Sequence, residues 1–105
     1  MITIGIPSAG RSKKLLKCIE SIDLNTQADY EFIVIDNSMH APLNHDRLLK
    51  NDVKVIKPEI PLSPSASREL IGSVATSEYI LYIDEDMTVS KDSIDQLLNF
   101  LVDNK

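Results

Sequence analysis

Three acidic residues in a row, Asp84-Glu85-Asp86, follow the apolar run at residues 79–83, and no other stretch of the sequence is as suggestive of chemistry. In an extended segment alternate side chains share a face, so Asp84 and Asp86 are expected to point one way and Glu85 elsewhere. Two carboxylates on one face can share a hard divalent cation. Such an ion, Mg²⁺ or Mn²⁺, usually keeps waters and takes its remaining ligands from substrate phosphates. It would screen the charge of a diphosphate and stabilise it as a leaving group. On local grounds alone, the commoner use of such a triplet is a solvated turn.

A second acidic position, Asp36, follows the run Phe32-Ile33-Val34-Ile35. Its carboxylate can accept hydrogen bonds from a ribose or a base edge, or open an Asx turn with Asn37 and Ser38. Local residues do not choose between the two. Arg68 carries a guanidinium fork suited to phosphate oxygens, although most surface arginines simply face solvent. His40 and His45 have no partner at ligand spacing, and Cys18 sits among the apolar positions of a helical pattern, so none of the three is assigned chemistry.

The elements that must carry these residues alternate. Residues 2–6 are a β-branched run closed by Pro7, Ser8 and Gly10, which reads as a buried strand and a tight loop. Ser12 can cap a helix in which Leu15, Leu16, Ile19 and Ile22 recur at helical spacing, ending near Asn25. Residues 32–35 form an uninterrupted apolar strand of the kind covered on both faces in parallel sheets. A short helix is expected near residues 43–50 and a weaker edge strand at 53–56, after which Pro58, Pro61 and Pro64 keep the chain extended. A helix from Ser65 shows Ala66, Leu70 and Val74 on one face, and the strand at 79–83 follows. Ser90 is the expected cap of a last helix with Ile94, Leu97, Leu98 and Leu101 as its apolar stripe.

Such alternation predicts an α/β fold, a Rossmann-like three-layer sandwich with a mostly parallel sheet of about four strands flanked by helices. Ligands of these sheets bind beyond the carboxyl ends of the strands, where the strand order reverses. With the first strand central, Pro7-Ser8, Asp36-Asn37 and Asp84-Glu85-Asp86 converge on one crevice.

Composition narrows the function. The 105 residues, 43% hydrophobic and 26% charged, fit a single domain, residues 1–105. Sixteen acidic against eleven basic residues give a net charge of -5, which disfavours nucleic acid as a partner. One cysteine and no zinc-like spacing fit a reducing compartment, so a cytoplasmic location is expected. No run reaches the roughly 18 apolar residues of a membrane helix. Any membrane association would have to come from parts of a longer chain.

The order of these motifs resembles the N-terminal part of GT-A-fold glycosyltransferases, specifically the inverting enzymes of family 2, over nearly the whole chain. Residues 4–11, Ile-Gly-Ile-Pro-Ser-Ala-Gly-Arg, resemble the family's opening strand and its proline, threonine, tyrosine, asparagine, arginine loop. Residues 31–38 resemble its second strand, which ends in paired aspartates. Ser65-Ala66-Ser67-Arg68-Glu69 resembles its alanine, arginine, asparagine helix start, and residues 78–86 resemble the strand bearing the aspartate-any-aspartate metal motif. Asn37 stands where the family has a second aspartate, Ala9 and Gly10 where it has tyrosine and asparagine, and Glu69 where it has asparagine.

The resemblance implies transfer of a sugar from a nucleotide-diphosphate sugar to an acceptor hydroxyl on a glycan, lipid or protein, with Mg²⁺ or Mn²⁺ as cofactor. It places Pro7, Ser8, Arg11, Asp36 and Asn37 in the nucleotide pocket, Arg68 near nucleotide or diphosphate, Asp84 near ribose or metal, and Asp86 on the metal. The family's acceptor site and general base lie beyond the last helix. The expectation is therefore a donor-binding portion of a longer enzyme, with no catalytic base among these residues and with exposed apolar surface through which it can self-associate. Two alternatives stand beside it. One is a catalytically silent nucleotide-binding or interaction module of the same fold. The other is a phosphoacceptor receiver domain, which is disfavoured because its acidic pair should follow the first strand.

Overall fold

The computed structural model describes residues 1–39, 43 and 52–104. The helix expected near residues 43–50 lies, but for Leu43, outside the described residues, as do both His40 and His45. Those described form four strands and three helices in the order β1 (Ile2–Ser8), α1 (Ser12–Asn25), β2 (Tyr30–Asp36), β3 (Val53–Ile56), α2 (Pro64–Val74), β4 (Tyr79–Tyr82) and α3 (Ser93–Asp103). The strands make one sheet in the order β3-β2-β1-β4, and every pairing is parallel. The strand order reverses at β1, as the sequence pattern requires for a shared crevice.

Alternation along the strands separates two cores. Ile4 and Ile6 of β1, Phe32 and Val34 of β2, and Val53 pack with Leu15, Leu16, Cys18, Ile19 and Ile22 of α1 and with Ile94 of α3. On the opposite face Ile33 and Ile35 meet Ile71 of α2. This is the three-layer sandwich, with α1 and α3 on one side and α2 on the other. Central strands buried on both faces explain why their sequences run apolar without interruption. Gly5 allows α2 to lie close to β1, since a Cβ there would stand 2.7 Å from Ile71 Cγ2.

Several boundaries differ from the sequence reading. Ser12 is the first residue of α1 rather than its cap; Arg11 holds the cap position and makes no side-chain cap bond. Helix α2 begins one residue early, at Pro64, because Ser63 accepts a hydrogen bond from the Ala66 N–H and proline suits a first helical turn. Asp92, in the left-handed region, replaces Ser90 as the cap of α3. Strand β4 ends at Tyr82, although the Ile83 N–H still donates to Gly5 O at 3.0 Å.

The expected stripe of α3 is mostly uncovered. Ile94 is buried, but Leu97 and Leu101 are 41% and 37% exposed, and Phe100 and Val102 are more exposed still. Helical spacing foretells an apolar face; it does not supply a surface to cover it. The helix is nonetheless tied down at its start, where Asp95 accepts hydrogen bonds from the Gln27 and Ala28 N–H groups at 2.9 and 2.8 Å. Among the described residues no helix is long and apolar enough to cross a membrane.

Candidate functional site

At the carboxyl ends of β1, β2 and β4 lies a cleft of about 410 Å³. The loop after β1 contributes Pro7, Ser8, Ala9 and Arg11, the end of β2 contributes Asn37, and the approach to α2 and its first turns contribute Leu62, Pro64 and Arg68. The turn after β4 closes it with Asp84, Glu85 and Asp86. The fold thus brings together Pro7, Ser8, Arg11, Asn37, Arg68, Asp84 and Asp86, seven positions that the sequence singles out. Asp36 is not among the lining residues.

The acidic segment is a turn rather than an extended strand: the Met87 N–H donates to Asp84 O at 3.1 Å. Asp84 and Asp86 are exposed and Glu85 is buried. Glu85 leaves the solvent because its carboxylate is turned onto the loop after β1. It accepts the Ser8 hydroxyl at 2.5 Å and the Ala9 N–H at 3.0 Å, and Arg11 Nε stands 3.6 Å away. The loop itself turns at Gly10, whose φ of 95° a side-chain-bearing residue adopts only with strain. Ser8 Oγ accepts the Gly10 N–H at 3.1 Å.

Asp36 is fully buried and satisfied from within. It accepts the Ser38 and Leu43 N–H groups at 2.9 and 3.2 Å, and Lys57 Nζ lies 3.8 Å from it. Burial opposes its ionisation, but hydrogen bonds from the Ser38 hydroxyl and N–H and from the Leu43 N–H, together with the charge of Lys57, hold the carboxyl below its usual range. Its Asx-type bond to Ser38 is the local role expected of an aspartate opening a turn. Asn37 spends both amide atoms on its neighbours: Oδ1 accepts the Leu62 N–H and Nδ2 donates to Ser67 Oγ, each at 2.9 Å. It therefore fastens the segment before α2, and α2 itself, to the end of β2.

Beneath the turn, Cys18 packs against Asp84 O. Burial, reinforced by the charges of Asp86 and Glu85, pushes its thiol up to about 11, so it stays protonated and inert at neutral pH. Arg68 projects from α2 as an exposed cation on the cleft wall. Two exposed carboxylates and two arginines thus share one concave surface. Among the described residues no three side chains cluster as a complete metal-binding set, so a cation held here by Asp84 and Asp86 would need further ligands from a bound anion or water.

The parallel four-strand sheet flanked by helices matches part of a GT-A domain. The chain belongs to glycosyl transferase family 2, whose model matches residues 3–105. A curated relative, an uncharacterized glycosyltransferase of Haemophilus influenzae, is 21% identical over 104 residues, which are 99% of this chain and 35% of that protein. Residues 1–349 of TarS of S. aureus superpose with a TM-score of 0.83 at 17% identity, covering 97% of this chain and 32% of that one. The same TarS segment in complex with UDP-GlcNAc gives a TM-score of 0.81 at 16% identity, with 97% and 31% covered. The chain spans about a third of the length of these relatives.

Sequence reasoning missed Ala9, Leu62, Pro64 and the part played by Glu85. Pro64 carried a signal, since proline following serine is a common helix start. Glu85 carried none beyond its charge, because its partners lie 76 and 77 residues away in the chain.

Proposed function

We propose that this chain supplies the donor and metal half of a glycosyl transfer from a nucleoside-diphosphate sugar to an acceptor hydroxyl. The observation that carries the reading is the cleft in which exposed Asp84 and Asp86 stand with Arg11 and Arg68 at the reversal point of the sheet. A diphosphate needs positive charge around its oxygens and tolerates two bare carboxylates only through a bridging cation. Family membership and the UDP-GlcNAc complex of the structurally similar TarS support this class of donor.

In this reading Asp86 ligates Mg²⁺ or Mn²⁺, and Asp84 either shares the ion or meets the ribose. A cation held there would supply Lewis-acid stabilisation of the diphosphate leaving group. Arg68 binds phosphate oxygens through its planar fork. Pro7, Ser8 and Arg11 form the nucleotide side of the cleft, with Asn37 holding the opposite wall and Asp36 holding the loop that follows β2. The exposed stripe of α3 is the surface through which copies would associate or further chain would pack.

A catalytically silent module of the same fold is the second reading, and Asn37 favours it, because its amide atoms are already committed to Leu62 and Ser67. Titration calorimetry with UDP and with GDP, each with and without Mn²⁺, separates the two. The donor-binding reading expects heat with one nucleotide and tighter binding with Mn²⁺ than without it. Absence of binding to either nucleotide under both conditions defeats it.

A further inference from the structure

We infer that Glu85 is a positioning residue, a clamp that locks the acidic turn onto the loop after β1 so that metal and nucleotide are bound as one unit. The inference rests on the donor-binding reading and goes beyond it, because it gives Glu85 a part other than ligating metal or nucleotide. Its neighbours Asp84 and Asp86 are exposed in the cleft while Glu85 is 6% exposed. Its carboxylate takes the Ser8 hydroxyl at 2.5 Å and the Ala9 N–H at 3.0 Å, and it faces Arg11 Nε at 3.6 Å. All three partners line the same cleft.

A structural role alone does not call for this choice. The turn already has its own backbone bond from Met87 to Asp84, and the edge of β4 is fixed to β1 by parallel pairing from Ile2 to Gly5. What Glu85 adds is registration beyond the end of the sheet, where no backbone ladder runs. A buried carboxylate with two directional hydrogen bonds and a guanidinium nearby fixes the height of Asp84 and Asp86 relative to Ser8 and Arg11. Groups that orient ligands in this way commonly change metal affinity tenfold or more when removed. It also holds the half-exposed Arg11 at the cleft wall.

The test is the ratio of UDP dissociation constants without and with Mn²⁺, measured by calorimetry for the unaltered chain, Glu85→Ala, Glu85→Gln, Ser8→Ala and the Glu85→Ala/Ser8→Ala double variant. A clamp predicts that the ratio falls about tenfold in Glu85→Ala and less in Glu85→Gln. It also predicts that the double variant is no worse than Glu85→Ala, because the two residues act through one contact. A residue that only supports the fold would weaken both constants together and leave the ratio unchanged. An unchanged ratio in folded Glu85→Ala overturns the inference; if that variant does not fold, an unchanged ratio in both Glu85→Gln and Ser8→Ala does so. Failure of the unaltered chain to bind UDP or GDP at all removes the proposed function and this inference together, whereas Mn²⁺-dependent binding that ignores these substitutions removes the inference alone.

Discussion

Strands β2 and β4 deliver carboxylates to the same end of one sheet, and the two ends could hardly be used more differently. Asp36, at the end of β2, is fully buried, with two backbone N–H groups and a lysine gathered around it. Asp84 and Asp86, after β4, face a cleft and are exposed. A carboxylate whose lone pairs are consumed inside the protein builds the scaffold, and one left facing a cavity is free to take a ligand. Glu85 stands between the two cases: it belongs to the open turn by sequence and to the closed scaffold by contact.

The sharpest way to break this contrast is to remove each carboxylate in turn. Asp36→Ala leaves the Ser38 and Leu43 N–H groups unpaired next to a buried gap, while the Lys57 ammonium keeps its bonds to Ser38 O and Oγ. Leaving buried polar groups unpaired costs about 1–3 kcal/mol each, less where water reaches them. A loss of about 3 kcal/mol in urea denaturation is the expected outcome. A loss below about 0.5 kcal/mol, the range of ordinary surface substitutions, would mean that Asp36 is not the structural member of the pair.

Asp86→Ala is expected to do the reverse. Stability should change by no more than about 0.5 kcal/mol, as for other exposed positions. The Mn²⁺-dependent part of UDP affinity should fall about tenfold or more, equivalent to about 1.4 kcal/mol. Calorimetry paired with the same urea titration reads both quantities. If Asp86→Ala destabilises the fold and leaves nucleotide binding intact, the assignment of roles to the two strand ends is inverted.

How much of this the sequence discloses follows from the range of the interactions concerned. The strands at residues 2–6 and 32–35 and the stripe of α1 are local patterns, and they appear where the patterns place them. Alternate spacing sets Asp84 and Asp86 apart from Glu85, and the structure separates them by exposure, although a turn rather than an extended strand produces this and all three line the cleft. The fate of Asp36 was not legible, since ligand-facing and Asx-turn uses look alike until Lys57 arrives from beyond β3. Nor was the commitment of Asn37, whose partners Leu62 and Ser67 lie 25 and 30 residues onward. The uncovered stripe of α3 makes the same point in reverse: periodicity is a property of the segment, and burial is a property of what packs on it.

The smallest effect, and the one that tests the scaffold side most finely, is in acid. Both Asp36 and Glu31 have carboxyls held below their ordinary values. For Glu31 the hydroxyl of Thr3 is the chief cause, partly offset by burial and reinforced by Thr76 and Lys54. A carboxyl whose pKa is depressed by folding adds stability above its unfolded pKa, about 4, and loses it as the pH falls through the folded value. Stability contributed by these two groups should therefore be level from neutrality to about pH 4 and fall below that. Asp36→Asn removes one titrating group while keeping its shape, so its stability below pH 4 should decline less steeply than that of the unaltered chain. Urea titrations at a series of acid pH values provide the comparison. Parallel profiles for the two proteins would show that the charge on Asp36 contributes nothing, leaving its hydrogen bonds alone to hold the end of β2.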